Sequence, residues 1–325
     1  MTSSDSANAF SVIGGTQTYS SDDFDIDFSW LDANEFFGTY AGFYNSLPPD
    51  TTVQLQPFNL DQLVQRIQSC IGSMAKDAQT PFLKSLQHDD KPFDTFLDET
   101  LVVCSAYVNR TKHNRPSLMR TISRKYIKLM HTLRGYMSLG LILTALQAAI
   151  LFEIMLLFDE DVDMRSLAEH GFKTIEAAIN YLEQCLIEEL AYPTLYTGDD
   201  SASRYSRWLM HESVRRVTIA HWILKAAYTH VRDGYCAIVP VLVRLPLTLS
   251  GDLWEASSED EWQLKTDQEQ SKVAVVPYVE ALDHWVANDY KHMDKFQTML
   301  FEACKTMPTA AEWSSNSTKI LEDID

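Results

Sequence analysis

Positive charge is scarce in this 325-residue chain: 27 Lys and Arg face 45 Asp and Glu, for a formal net charge of −18. Phosphate backbones are held mainly by Lys and Arg, so this balance argues against free-standing nucleic-acid binding. Cysteine is scarce as well. The five, Cys70, Cys104, Cys185, Cys236 and Cys304, form no Cys-x2-Cys pair and none sits near a histidine at zinc-finger spacing. They read as buried thiols of a reducing compartment. The opening MTSSDSANAFS has no basic stretch followed by an apolar one, so secretion is not indicated. Gly-rich phosphate loops, nucleophile elbows and a Ser-His-Asp order are missing, and no strong catalytic motif or cofactor is expected.

What is present organises into a tail and a body. The apolar fraction of 46% is ordinary for a folded protein and excludes wholesale disorder. Residues 1–54 are rich in Ser, Thr, Asp and Gly and include DDFDIDFSWLDANEFFGTYAGFY, where acids alternate with aromatics. That pattern fits either a solvated activation-type segment or a linker whose aromatics dock on the body. PPDTTVQ marks the boundary. Residues 55–325 read as one all-helical domain: Leu60, Leu63, Ile67, Ile71 and Met74 recur at three- and four-residue steps. Long amphipathic patterns follow, one of them ended by Gly234, and PYVEALDHWVANDYKHMDKFQTMLFEACKTM reads as a final helix. Only CAIVPVLVRLPLTL resembles a strand, and Pro240 and Pro246 make a central strand improbable.

YMSLGLILTALQAAILFEIMLLF, residues 136–158, is about long enough to span a bilayer. Glu153 and Gln147 within it count against that, and the expected place is the centre of a helical domain, with no membrane partner. Two acidic runs, HDDKPFD at 88–94 and FDEDVD at 158–163, are similar to the magnesium-diphosphate motif of class I terpene cyclases. Pro92 interrupts the first. In NDYKHMDKF, Asn288 and Asp289 match that family's second metal site, but His292 and Phe296 occupy its other two ligand positions. No metal site is therefore expected.

Longer landmarks carry a different resemblance. ALQAAILFEIMLLFDEDVDMRSLAE, RWLMHESVRRVTIAHWILKAAYTHVRDGYC, LPLTLSGDLWEASSEDEW and FQTMLFEACK occur in that order. Over roughly residues 55–305 they resemble the C-terminal regulatory domain of fungal binuclear zinc-cluster transcription factors, shorter members included. Some of those regulators lie in secondary-metabolite gene clusters. The motif positions fall on Glu212, Ser213, Arg215, Arg216, Leu245, Pro246, Leu253, Trp254, Glu255, Ala256 and Trp262. Physically, Ser257, Ser258 and the following acids suit a helix N-terminus, and Trp254 and Trp262 suit a clamp on the loop. One of Arg215 and Arg216 is expected to pair inward with Glu212 and the other to face solvent. The family's zinc-cluster module of six cysteines has no counterpart before Cys70, so no direct DNA binding is expected.

Two functions follow as expectations. In the first, the body is a transcription-factor-like regulator without its own DNA-binding domain, linked to secondary-metabolite biosynthesis, resident in nucleus or cytoplasm. It would take an apolar small-molecule ligand, a protein partner or a second copy of itself. In the second, the scaffold is a metal-independent cyclase or Diels-Alderase-type pericyclase acting on a terpenoid or polyketide by holding a near-attack conformer. The candidate ligand-binding residues are His211, Arg215, His221, Trp222, Tyr228, Trp254 and Trp285. Aromatics at helical spacing also serve as core, and no residue is assigned a catalytic role.

Overall fold

The computed structural model describes residues 57–84, 95–135, 137–191, 204–268, 275–287 and 293–304. The expected tail, residues 1–54, lies outside them, as does the run HDDKPFD. Among the described residues there are eleven helices and one two-stranded sheet, which makes the chain all-α as expected. The helices are α1 (Pro57–Asp77), α2 (Thr95–Val108), α3 (Arg115–Leu133), α4 (Leu139–Leu157), α5 (Val162–Ala191) and α6 (Arg204–Asp233). After these come α7 (Val239–Leu242), α8 (Asp252–Glu255), α9 (Glu259–Gln268), α10 (Tyr278–Ala287) and α11 (Lys295–Cys304).

Residue types explain these boundaries. Pro57 opens α1, where its missing N–H costs nothing. The period expected in that helix holds: Leu63, Ile67, Ile71 and Met74 are buried, joined by Cys70. Gly234, at φ 83°, closes α6 in the left-handed conformation that a Cβ disfavours, and its N–H reaches the His230 carbonyl. Ser258 accepts a hydrogen bond from the Glu261 N–H, and the Glu261 carboxylate accepts from the Ser257 N–H and hydroxyl. The serines and acids thus start α9 as their chemistry implies.

α4 is the axis of the fold. Every residue from Ile142 to Leu157 is buried, and the helix packs against α1, α2, α3, α5 and α6. A helix enclosed on all sides has no solvent face to keep polar, which accounts for its apolar circumference. It is the one described helix long and apolar enough to cross a membrane, and 78% of that apolar window is buried inside the fold. The cysteines behave as the sequence implies: Cys70, Cys104, Cys185 and Cys236 are free and buried, and burial pushes the Cys70 and Cys104 thiols up to about 12.

Of two further segments, the first has no central strand, as expected, and the second differs from expectation. CAIVPVLVRLPLTL contributes the single turn α7 and then β1 (Pro246–Thr248), which pairs antiparallel with β2 (Val275–Pro277), Leu247 opposite Val276. Pro240 lies in the first turn of α7, and Pro246 stands at the end of β1 opposite Pro277, where it interrupts no longer ladder. The final amphipathic pattern is two helices, α10 and α11, rather than one. Asp294 is the reason: its carboxylate accepts from the Gln297 N–H while Gln297 Oε1 accepts from the Asp294 N–H. This reciprocal cap starts a new helix at Lys295.

Candidate functional site

The family-like landmarks converge on Arg216, which projects from the middle of α6 and is 2% exposed. Its Nε donates to Glu212 Oε1 at 2.8 Å, Nη1 to the Pro81 carbonyl at 3.0 Å and Nη2 to Asp294 Oδ2 at 2.5 Å. The guanidinium lies 4.2 Å from the centroid of the Trp254 ring and 5.1 Å from that of Phe296. Glu212 also accepts from the Thr248 hydroxyl at 2.6 Å and from Arg215 Nε at 3.1 Å. Gln297 donates onward to the Thr248 and Leu249 carbonyls. Burial alone would neutralise these groups. It opposes the charge on Glu212, but Arg215 and Arg216 outweigh it and hold the carboxyl below its usual range. Burial opposes the Arg216 charge too, and Asp294 and Glu212 more than restore it.

The glycine in LSGDLWEA belongs to the same junction. A Cβ on Gly251 would fall 2.5 Å from Gln297 Oε1 and 2.6 Å from the Asp294 backbone nitrogen, so only glycine lets the loop approach α11. Lys84 donates to the Trp254 carbonyl at 2.6 Å and also to the Ala256 carbonyl. Trp262 packs in a small separate cluster with Leu253, Ala256, Tyr205 and Trp208, its ring 5.7 Å from that of Trp208. The two tryptophans flanking the acidic stretch therefore clamp one loop from two directions.

A second buried polar line runs through the core. Tyr126 of α3 donates to Glu153 Oε1 at 3.0 Å, and Glu153 Oε2 faces His221 Nδ1 at 3.6 Å, just beyond hydrogen-bond length. His221 Nε2 lies 3.3 Å from Glu176 Oε1, which also accepts from Lys225 at 2.6 Å. Glu153 and His221 have no exposed surface, and only Lys225, 22% exposed, brings the line towards solvent. Burial raises the Glu153 carboxyl against the pull of His221 and Tyr126. For His221, burial disfavours the charge, but hydrogen bonding and attraction from Glu153 and Glu176 leave its pKa above the usual value. Glu176 is opposed by burial and held low by His221 and Lys225. The line sets the His221 ring between two carboxyls in the core, with Glu153 Oε2 and His221 Nδ1 facing each other unbonded. Gly171 makes it possible: a Cβ there would lie 1.7 Å from the Tyr126 hydroxyl.

The seven candidate residues fall in separate places. His221, Trp222 and Tyr228 are neighbours on α6, with the Phe172 ring 5.8 Å from His221 and 6.5 Å from Tyr228. The Tyr228 hydroxyl donates to Glu169; burial and that carboxylate push it up to about 12. Arg215 and Trp254 join the Arg216 junction, and the expected split between an inward and a solvent-facing arginine does not occur: both pair with Glu212, and the Arg215 side chain is only 13% exposed because it folds back onto that carboxylate. His211 is lowered to about 4 by burial and then by Arg215 and Arg207, and is neutral at pH 7. Trp285 is buried against Phe301. FDEDVD is a helix junction: Asp159 binds Arg115 at 2.8 Å, and Asp161 accepts from the Asp163 N–H as α5 begins. No group of metal-ligating side chains occurs among the described residues. An apolar void of about 10 Å³, lined by Ile67, Phe82, Ile154 and Met299 among others, has room for about one water.

Sequence reasoning missed Tyr126, Glu176, Lys84 and Asp294 as network members. One signal was available: Glu153 stands alone in an apolar helix, and a buried carboxylate requires a partner.

Likeness to known proteins is of transcription-factor type, and the relative is fungal. It is Transcription factor gsfR2 of Penicillium aethiopicum, 25% identical over 287 residues, which cover 85% of this chain and 66% of that protein. The chain thus spans just under two-thirds of the relative's length. No protein-family profile matches the sequence, and no solved structure matches it.

Proposed function

We propose that the helical body is a regulatory module of transcription-factor type, acting in the nucleus through contacts with other proteins to control a fungal secondary-metabolite pathway. The observation that carries this reading is the similarity to gsfR2 over 85% of the chain. The net charge of −18 supports protein partners over nucleic acid as what the module contacts. Burial of the landmarks Glu212 and Arg216 supports a scaffold role for them: their hydrogen bonds go to each other and to neighbours such as Asp294 and Thr248, leaving the surface for partners.

The test is a strain lacking the gene, followed by transcript and metabolite profiling of the same cultures. Collapse of a set of pathway transcripts together with all their products is the expected result. Persistence of the transcripts while one uncyclised intermediate accumulates would overturn the proposal in favour of a cyclase.

A further inference from the structure

Residues 110–134 carry eight of the chain's 27 Lys and Arg and no Asp or Glu at all. On a chain this acidic, such an island is conspicuous. Part of it is taken up by ion pairs within the chain, since Lys125 binds Glu99 at 2.6 Å and Arg115 binds Asp159. Arg110 and Lys112 precede α3 and Arg134 follows it, which leaves three cations on one face of the helix. Arg120, Arg124, Ile127, Lys128 and His131 follow at steps of four, three, one and three residues, so they share a single helical stripe, and all five are exposed. Arg120, Arg124 and Lys128 make no ion pair among the described residues. Ile127, 42% exposed, stands in their midst.

We infer that this stripe is a docking surface for an acidic peptide segment of a protein partner, one whose carboxylates meet the three cations and whose apolar side chain covers Ile127. The inference gives a partner chemistry to the regulatory reading above. Charge complementarity selects the occupant. A stripe of about 16 Å along the helix, at 1.5 Å per residue, suits a short segment. A long phosphate polymer would run off it onto a strongly acidic protein, and repulsion acts over about 8 Å at physiological salt. Ile127 adds to the selection, because a phosphate backbone gains nothing from an apolar contact at the centre of its cations, whereas an acidic segment with interspersed Leu or Phe does.

The experiment is fluorescence anisotropy on the full chain at low salt with a short labelled peptide of aspartates interspersed with leucine and phenylalanine. A single-stranded oligonucleotide of equal charge is measured beside it. The expected result is salt-sensitive peptide binding that weakens roughly tenfold or more in R120E/R124E/K128E. Binding should also weaken in I127S, with the oligonucleotide weaker than the peptide throughout. These positions are exposed, and circular dichroism melting of each variant verifies that the fold is kept. Absence of peptide binding, equal binding by the triple variant, or tighter binding of the oligonucleotide would each overturn the assignment. The assay uses purified protein and reads no transcripts, so its failure is separate from failure of the regulatory reading.

Discussion

Arg216 lies over the face of Trp254 at 4.2 Å while the same guanidinium grips Glu212 and Asp294. One side chain therefore ties α6 to α8 and to the start of α11. Removing it leaves the buried Asp294 without a cation and Glu212 with Arg215 alone. R216A is expected to lower the unfolding free energy by about 3–5 kcal/mol, read from urea denaturation followed by circular dichroism. R216K should recover only part of that loss, because an ammonium cannot fill three divergent directions and stack at once. Full recovery in R216K would show that charge alone is what the junction uses.

Gly171 and Gly72 both sit inside helices, yet they should respond in opposite ways to alanine. At Gly171 the added Cβ meets the Tyr126 ring and hydroxyl, whereas at Gly72 nothing lies within 4 Å. G171A is expected to destabilise by about 1–3 kcal/mol through overpacking. G72A should stabilise by up to about 1 kcal/mol, the helix preference of alanine over glycine. Thermal denaturation of the two variants side by side measures the contrast.

Glu183, which accepts a hydrogen bond from Thr218 at 3.0 Å, supplies a pH test. Burial raises its carboxyl from 4.5 to about 7. A folded-state pKa above the unfolded one means stability that is complete below 4.5 and is lost as pH rises through about 7. E183Q keeps the acceptor for Thr218 and cannot ionise. Relative to wild type, the variant should therefore gain stability between pH 5 and pH 8 in paired denaturation curves. His221 is also held above its usual value, but it titrates in both proteins and cancels in the difference. A difference that stays constant across that range would show that Glu183 does not titrate there.

The helices were legible in the sequence because their causes are local. The spacing of Leu63, Ile67, Ile71 and Met74, the glycine at 234 and the serines before Glu259 each act within a few residues. The buried networks were not, because their members lie far apart along the chain. Glu153 is 68 residues from His221, and Asp294 is 78 from Arg216. Periodicity also misled at the end of the chain, where α10 and α11 share one apolar rhythm. The break between them comes from the Asp294 and Gln297 cap, whose other contacts, to Arg216 and the Thr248 carbonyl, are tertiary.

The apolar axis of the fold has a cost during synthesis. α4 ends at Leu157, and α6, one of the two long helices that cover it, ends at Asp233. At a translation rate of about 5–20 residues per second, this interval lasts roughly 4–15 seconds. Throughout it a segment with the length and hydropathy of a membrane span waits with its cover incomplete. Safe delivery of the newborn chain thus depends on what shields that segment until α5 and α6 arrive, and such shielding is the work of chaperones at the tunnel exit.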